Sequence, residues 1–337
     1  MKQRDNHSDC GGVSGRDSTD DRTCGDAGEG GPLAYTLAGH SSEPEAGDTI
    51  ELCLTGQISP QVAVAQLLID GAAAERIIAL VKRRWADPRS ARWQSLVALL
   101  DGRTEELNRL ALEIATNGDD RELFADKPEG GVARIAAFFD QAVAHSPEAS
   151  VALHSLGDVR ILSAATAEIV AWLKAEGLLA AGADVLDLGC GIGRLASVLG
   201  QRSRSVLGLD VSAGMVAEAR RRCAGLENVR IEMTTGRDLA ALASNAFDLV
   251  LAVDSFPYVV QLGASTADQH IAGMVRCLRP GGNLVILNVS YRGDLAADRA
   301  DVARWSAQYS LEIQHSGTSP FALWDGKAFV MRRACTC

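Results

Sequence analysis

The ten residues Val185 to Arg194, Val-Leu-Asp-Leu-Gly-Cys-Gly-Ile-Gly-Arg, limit what this chain can fold into more than any other stretch. Val185, Leu186 and Leu188 suit a buried parallel strand. Gly189, Gly191 and Gly193, in alternate positions, let the backbone turn sharply and approach a ligand at the strand's carboxyl end before a helix opens. Such a turn marks a nucleotide-type site, and spacing bears on which nucleotide. Counted from Gly189, a dinucleotide fingerprint puts its third glycine where Arg194 stands. Counted from Gly191, the looser form ending in Ala196 is met, so spacing leaves a dinucleotide open. Charge is the second test: Asp187, inside the strand end, repels a phosphate and welcomes an ammonium or a sulfonium.

Three further features follow in order. Ser205 to Asp210 is a second short apolar run ending in an acid, at the roughly twenty-residue interval expected of a ribose ligand, so Asp210 is placed to accept both ribose hydroxyls. Phe247 to Val253 reads as another buried strand, and Arg279-Pro280-Gly281-Gly282 as a turn feeding a strand from Asn283 to Asn288. With Asp187-Leu-Gly-Cys-Gly-Ile-Gly193, these make the segment from about Ala183 to Arg333 resemble a class I S-adenosylmethionine-dependent methyltransferase. The resemblance implies an α/β fold: a doubly wound, mostly parallel, seven-stranded Rossmann-like sheet with a reversed final strand. It also implies S-adenosylmethionine as cofactor, its methionine part over the glycine loop. The cofactor-binding candidates are Asp187, Gly189, Cys190, Gly191, Gly193, Asp210, Val211, Gly236, Asp238 and Val253. Asp238 stands where family members often set an acid against the adenine amine, with helix capping as its competing role.

The fourth strand empties into Asp254-Ser255-Phe256-Pro257-Tyr258. This is similar to the Asp-Pro-Pro-Tyr signature of some amino-group methyltransferases, but it carries an extra residue and one proline, so that specificity is not transferred. Asp254 and Tyr258 are candidates to orient an acceptor or take its proton, against a plain polar strand end and a packing aromatic. His154, in the lead-in to the first strand, and Tyr291, after the fifth, are further catalytic candidates. For His154 the competing role is a satisfied surface or hinge residue. The reaction expected is direct in-line displacement of the sulfonium methyl, which needs alignment and dryness rather than a triad or a metal, and no metal site is read.

Outside the resemblance the chain divides into an acidic Gly/Ser-rich arm over 1–48 expected to be disordered, an N-terminal helical domain over 49–145, a lead-in over 146–182, and a tail over 334–337. Helices are expected from Ser59-Pro60 to Gly71, Ala72 to Trp85, Ala91 to Leu100, Glu105 to Ala115, Val132 to Ala144 and, in the lead-in, Ala164 to Glu176. In the second half, helices follow Ser212 and run from Asp268 to Leu278, where His270 lies off the apolar stripe. Val229 to Met233 is a strand, and a terminal hairpin is expected around the Asp-Gly of Trp324-Asp325-Gly326. Phe321 and Trp324 read as hydrophobic cover rather than an aromatic cage.

With 43 acidic against 33 basic residues and a formal charge of -10, the chain lacks the stripe of Lys and Arg that phosphate neutralisation demands, so nucleic acid is disfavoured. No apolar run reaches membrane-spanning length and no signal peptide is visible, which makes the cytoplasm the expected location. The eight cysteines read as reduced thiols, and the Cys335-x-Cys337 pair lacks partners for a metal. A small-molecule acceptor leads. An RNA or protein methyltransferase, a non-catalytic S-adenosylmethionine-binding module and a nicotinamide dehydrogenase stay open, as does a homodimer through the N-terminal helices.

Overall fold

The computed structural model describes residues 46–83, 89–116, 128–288 and 293–335. Its centre is a seven-stranded sheet: β1 Asp184–Leu188, β2 Ser205–Asp210, β3 Val229–Met233, β4 Phe247–Val253, β5 Leu278–Asn288, β6 Leu311–Thr318 and β7 Lys327–Arg333. The spatial order is β3-β2-β1-β4-β5-β7-β6. Neighbours from β3 through β5 run parallel, and β7 runs antiparallel to both β5 and β6. This is the expected doubly wound sheet with one reversed strand. Strand order reverses between β1 and β4, and in open sheets of this type ligands settle in the crevice beyond such a switch point.

Alternation along the strands separates two cores. Val185, Val206, Leu249, Leu251 and Val285 pack with Ile169 and Leu173 of α8 (Val159–Ala175), Leu195 and Leu199 of α9 (Arg194–Gly200), and Val216 of α10 (Ala213–Arg222). Leu186, Val250, Leu284 and Ile286 face the opposite way, onto Ile271 and Met274 of α12 (Ala264–Cys277) and Val302 and Trp305 of α13 (Leu295–Tyr309). Each such fully buried side chain stabilises the fold by about 1.5–3 kcal/mol relative to exposure. Between β4 and α12 lies the short α11 (Phe256–Gln261).

The N-terminal helices are α1 Ala46–Leu54, α2 Pro60–Ile69, α3 Ala74–Arg83, α4 Ala91–Leu100 and α5 Thr104–Thr116. Ser59 caps α2 by accepting the Val62 N–H, and Pro60 opens it, as its sequence requires. The core of this region, Ile50, Leu67, Ile77, Leu96 and Leu107, also takes in Leu156 of the lead-in. Arg103 donates to the Leu156 carbonyl (3.0 Å), and the Asp325 carboxylate accepts the Ser59 N–H (2.9 Å). The helices thereby grip the segment that leads into β1. In contrast, α6 (Pro128–His145) packs on α10 through Asp140, which accepts from Ser212 Oγ (2.6 Å) and Gly214 N (2.8 Å).

Several expected boundaries move. The arm was expected to be disordered to residue 48, but Ala46–Asp48 form the first turn of α1; residues 1–45 lie outside the described set. The end of the helix expected to reach Trp85 lies outside it too. Pro147 ends one helix but also starts another, α7 (Pro147–Val151), because Ser146 caps it through the Ala149 N–H and proline fits a first helical turn. α8 starts at Val159 rather than Ala164, capped by Asp158. Arg279 to Gly282 form an excursion within β5, whose register jumps from Phe247↔Leu278 to Leu249↔Asn283. The last hairpin is not closed by Asp325-Gly326: its loop spans residues 319–326, and Asp325 is used to hold Ser59. His270, expected off the core stripe, is buried in α12 with Nδ1 2.9 Å from the Thr266 carbonyl oxygen.

Candidate functional site

β1 delivers the glycine turn to the carboxyl edge of the sheet. Gly189 N and Cys190 N donate to the Leu209 carbonyl (2.7 and 2.9 Å), which ties the turn to the end of β2. Gly191 N donates to Asp210 Oδ2 (2.9 Å) and Ser212 N to Asp210 Oδ1 (2.9 Å). The acid expected at a ribose therefore also fastens the loop, each oxygen keeping a further lone pair. Burial raises the Asp210 pKa, and the Ser212 and Gly191 amides oppose that rise.

The glycines are needed for two separate reasons. Gly193, at φ +74°, caps α9 in a left-handed conformation, and a Cβ there would sit 3.1 Å from the Ala219 Cα of α10, so it permits close packing of two helices. At Gly189 (φ +70°) an added Cβ would lie 2.2 Å from Ser255 Cβ, and at Gly191 (φ +52°) 2.6 Å from Val151 Cγ1. The edge of the loop is thus enclosed by the start of α11 and by the lead-in. Cys190 is buried and its thiol pKa is pushed well up by that burial, which makes it packing beside Gly208 rather than chemistry. Val211 and Gly236 meet across the ends of β2 and β3: a Cβ on Gly236 would approach Val211 Cγ1 to 2.7 Å and Val132 of α6 to 2.9 Å. Val253 ends β4 inside the core. Asp238 stands apart, exposed, accepting the Ala240 N–H (3.0 Å) in a turn that starts no helix.

Beneath the loop is a charged cluster. Asp187 is 1% exposed, its Oδ2 has no hydrogen-bond partner, and burial pushes its pKa up to about 7, opposed by Arg194 and reinforced by Asp210. Arg194, at the first turn of α9, is itself buried. Its Nη1 donates to Thr166 Oγ1 (3.3 Å) and its Nη2 stands 3.9 Å from Asp254 Oδ2. Asp254 holds φ +57°, a strained left-handed conformation for a residue other than glycine, and burial lifts its carboxyl to about 7 against the pull of Arg194. Ser255 Oγ donates to the Leu188 carbonyl (2.6 Å).

Of the other catalytic candidates, His154 lies near Arg194. Tyr258, on α11, packs edge-on against Phe139 of α6 with ring centroids 5.1 Å apart. His154 lies in a single 3-10 turn, Leu153–Ser155, 1% exposed and stacked at 6.1 Å on Trp324, which in turn stacks on Phe321. Neither ring nitrogen has a partner, and burial, with Arg194 nearby, drives its pKa down to about 3, so it is a neutral buried ring rather than a surface hinge. Phe321 and Trp324 are hydrophobic cover, as read. Tyr291 lies outside the described residues.

Sequence reading missed Arg194 and Asp140. Arg194 was noticed for breaking a fingerprint, although a lone cation ahead of Leu195 and Ala196 in a short apolar helix is itself a sign of a buried partner. Asp140 gave no sign, because its partners lie 72 and 74 positions away.

A cationic nucleoside fits these residues and a pyrophosphate does not. Asp187 and Asp254 face one guanidinium, that of Arg194, from two neighbouring strand ends, Asp210 stands beside Asp187, and both Asp187 and Asp254 keep a buried oxygen without a donor. Among the described residues no group of His, Cys, Asp or Glu is arranged to hold a metal ion, and no helix is long and apolar enough to cross a membrane.

Comparison with known proteins points the same way. Residues 185–282 match the family model described as "Methyltransferase domain". The chain is 30% identical over 136 residues to the S-adenosyl-L-methionine-dependent Diels-Alderase iccD of Talaromyces variabilis, covering 39% of this chain and 44% of that protein. It is 32% identical over 111 residues to the demethylmenaquinone methyltransferase of Tropheryma whipplei (strain Twist), covering 33% and 44%. The chain thus spans less than half the length of these curated relatives. Among solved structures, phosphoethanolamine N-methyltransferase 1 of Haemonchus contortus aligns with a TM-score of 0.49 at 16% identity, over 63% of this chain and 50% of that one. Over residues 185–282, which hold the glycine turn, Asp210 and β4, the chain matches a methyltransferase domain.

Proposed function

We propose that the protein transfers a methyl group from S-adenosylmethionine to a small-molecule acceptor by direct in-line displacement. The observation that carries this reading is the Gly191 to Asp210 hydrogen bond. It sets a glycine turn and a ribose-binding carboxylate face to face at the β1/β4 switch point, inside a segment matching a methyltransferase domain. The cofactor supplies a methyl already activated on a cationic sulfur. The chain's own work is then to hold, orient and dry the partners, effects worth up to roughly 7–11 kcal/mol in favourable intramolecular cases. Asp210 accepts the ribose hydroxyls, the turn from Gly189 to Gly193 underlies the methionine part, and Val211 and Gly236 flank the base. Val151 and α6 exclude water above the loop. Asp254, strained and with its carboxyl near 7, orients the acceptor and takes its proton where the acceptor carries one.

The similarity to a demethylmenaquinone methyltransferase supports a small-molecule acceptor, and the excess of acidic residues argues against RNA. The four buried, unpaired thiols Cys53, Cys190, Cys223 and Cys277 accord with a reducing, cytoplasmic setting. A second reading, cofactor binding without transfer, is favoured by the similarity to a Diels-Alderase, since a cycloaddition moves no methyl.

Incubation of the protein with methyl-labelled cofactor and a metabolite extract separates the readings. A labelled small molecule is expected. Label only in macromolecules would move the acceptor to RNA or protein, and cofactor binding by calorimetry with no label transferred would favour the second reading. Heat with NADH but none with S-adenosylmethionine would end both.

A further inference from the structure

We propose that Asp187, Arg194 and Asp254 make this site discriminate ligands by charge: it takes the onium form of the methyl donor while giving a proton to solvent, and lets the demethylated product go while taking one back. The inference rests on the S-adenosylmethionine reading above and goes beyond it, assigning to the cluster under the loop a role in telling cofactor from product.

The charges do not balance in the protein alone. Two carboxylates, Asp187 and Asp254, face one buried guanidinium, Arg194, from the ends of β1 and β4, and a third, Asp210 at the end of β2, adds negative charge beside Asp187. Asp187 Oδ2 and Asp254 Oδ2 are buried without a hydrogen bond, so neither acid is settled by a local donor at that oxygen. Among the described residues, no neighbour that acts on these acids supplies a second cation. His154, facing Arg194 from the lead-in, is held neutral by burial. The Cys190 and Cys223 thiols, in the loop and at the end of α10, are pushed up by burial and stay protonated. Asp140 of α6 adds negative charge near Asp210 and is engaged with Ser212 and Gly214. Thr166 of α8 is uncharged. What remains is neutralised by protons on the acids or by positive charge on a ligand.

Both states are within reach near neutrality, because Asp187 and Asp254 hold their protons up to about pH 7. When a cation enters, the O–H bond of one carboxylic acid breaks, its electron pair stays on oxygen and the proton passes to the buffer. When the sulfur's positive charge is lost with the methyl, the carboxylate regains a proton from the buffer. Ammonium and carboxylate groups are common to cofactor and product, so the difference between the two ligands is the sulfonium. The linkage fixes the sign: binding that releases a proton tightens as pH rises through about 7 and levels off above about 8.

Calorimetry at pH 7 in two buffers of different ionisation enthalpy, with S-adenosylmethionine and with S-adenosylhomocysteine, tests this directly on the full chain. Release of about half a proton is expected with the first and close to none with the second. Between pH 6 and 8 the first affinity should tighten about 3–10-fold and the second less than about 2-fold. Asp254→Asn and Asp187→Asn, near-isosteric changes, should each reduce the release. The wild-type measurement stands even if either variant folds poorly. Tight binding of both compounds with equal proton counts overturns the inference and leaves the methyltransferase reading intact. Absence of binding by either compound overturns both.

Discussion

β1 and β4 carry acids at both ends, and the two ends treat them in opposite ways. At the amino ends Asp184 accepts from Arg204, Ser205 Oγ (2.7 Å) and Arg279 (2.7 Å), while Asp248 takes the Asp184 N–H (2.8 Å) and Arg279 (2.7 Å). Hydrogen bonds from Arg204 foremost hold the Asp184 carboxyl far below the usual range. Three residues along the same strand, Asp187 is buried with an unbonded oxygen and pushed up to about 7, and Asp254 at the other end of β4 matches it. Fold stability alone favours the first arrangement, in which every charge has a donor. The second costs free energy in the free protein and makes sense where a ligand brings the missing charge.

The largest way to break that contrast is steric. Gly193→Val puts a branched side chain at φ +74° against the Ala219 backbone and should cost about 4 kcal/mol of stability in a denaturant or thermal melt. At the amino end Gly281→Ala, at φ +80° but facing only side-chain ends, Cys335 Sγ and Arg332 Nη2, should cost about 1 kcal/mol. Equal costs would remove the packing role assigned to Gly193.

Next in size is Asp210→Ala, which removes the acceptor for Gly191 and the acceptor proposed for ribose. It should weaken S-adenosylmethionine binding by about 2–3 kcal/mol in calorimetry, and an unchanged affinity would take Asp210 out of the site.

The pH dependence of stability should have opposite signs at the two ends. A carboxyl raised in the folded protein stabilises below its unfolded pKa, near 4, and that contribution is lost as pH climbs to about 7. Relative to wild type, Asp187→Asn should therefore gain on the order of 2 kcal/mol between pH 4 and 8. Asp184 is lowered, so its contribution is present above about 4 and lost as pH falls below it. Asp184→Asn should be destabilised at pH 7, by about 1 kcal/mol given the exposure of Arg204, and approach wild type in acid. Parallel profiles for the two variants would erase the distinction between the ends.

The smallest effect is expected at Asp238, an exposed turn acceptor: Asp238→Ala should change stability by no more than about 0.5 kcal/mol. A loss of cofactor affinity beyond about 3-fold would show that it reaches the base rather than only its own turn.

Much of the candidate site was legible because its parts are local. An apolar strand, three glycines in alternate positions and an acid closing the next strand each announce themselves within ten residues, and β1 and β2 bring them together at Gly191 and Asp210. Helix starts with a capping Ser, as at Ser59-Pro60 and Ser212, were equally plain, whereas the cap at Asp158 was missed. Legibility stopped where the partner is distant in the chain. Nothing near Asp325 tells that it will hold Ser59 across 266 positions instead of turning a hairpin, and nothing near His154 tells that Trp324 will bury it.

The sequence by itself therefore determined the class of fold and the strand ends at which ligands settle in sheets of this type, since these follow from periodicity, backbone freedom and residue type. Only the tertiary structure decided which acids have donors and which do not. Asp184 and Asp187 are the same residue three places apart in one strand, and what separates them is solvation and the arrival of Arg204 and Arg279 at one and a shared, buried Arg194 at the other. Desolvation and long-range pairing depend on what the folded chain packs around a group, which no window of neighbouring residues contains.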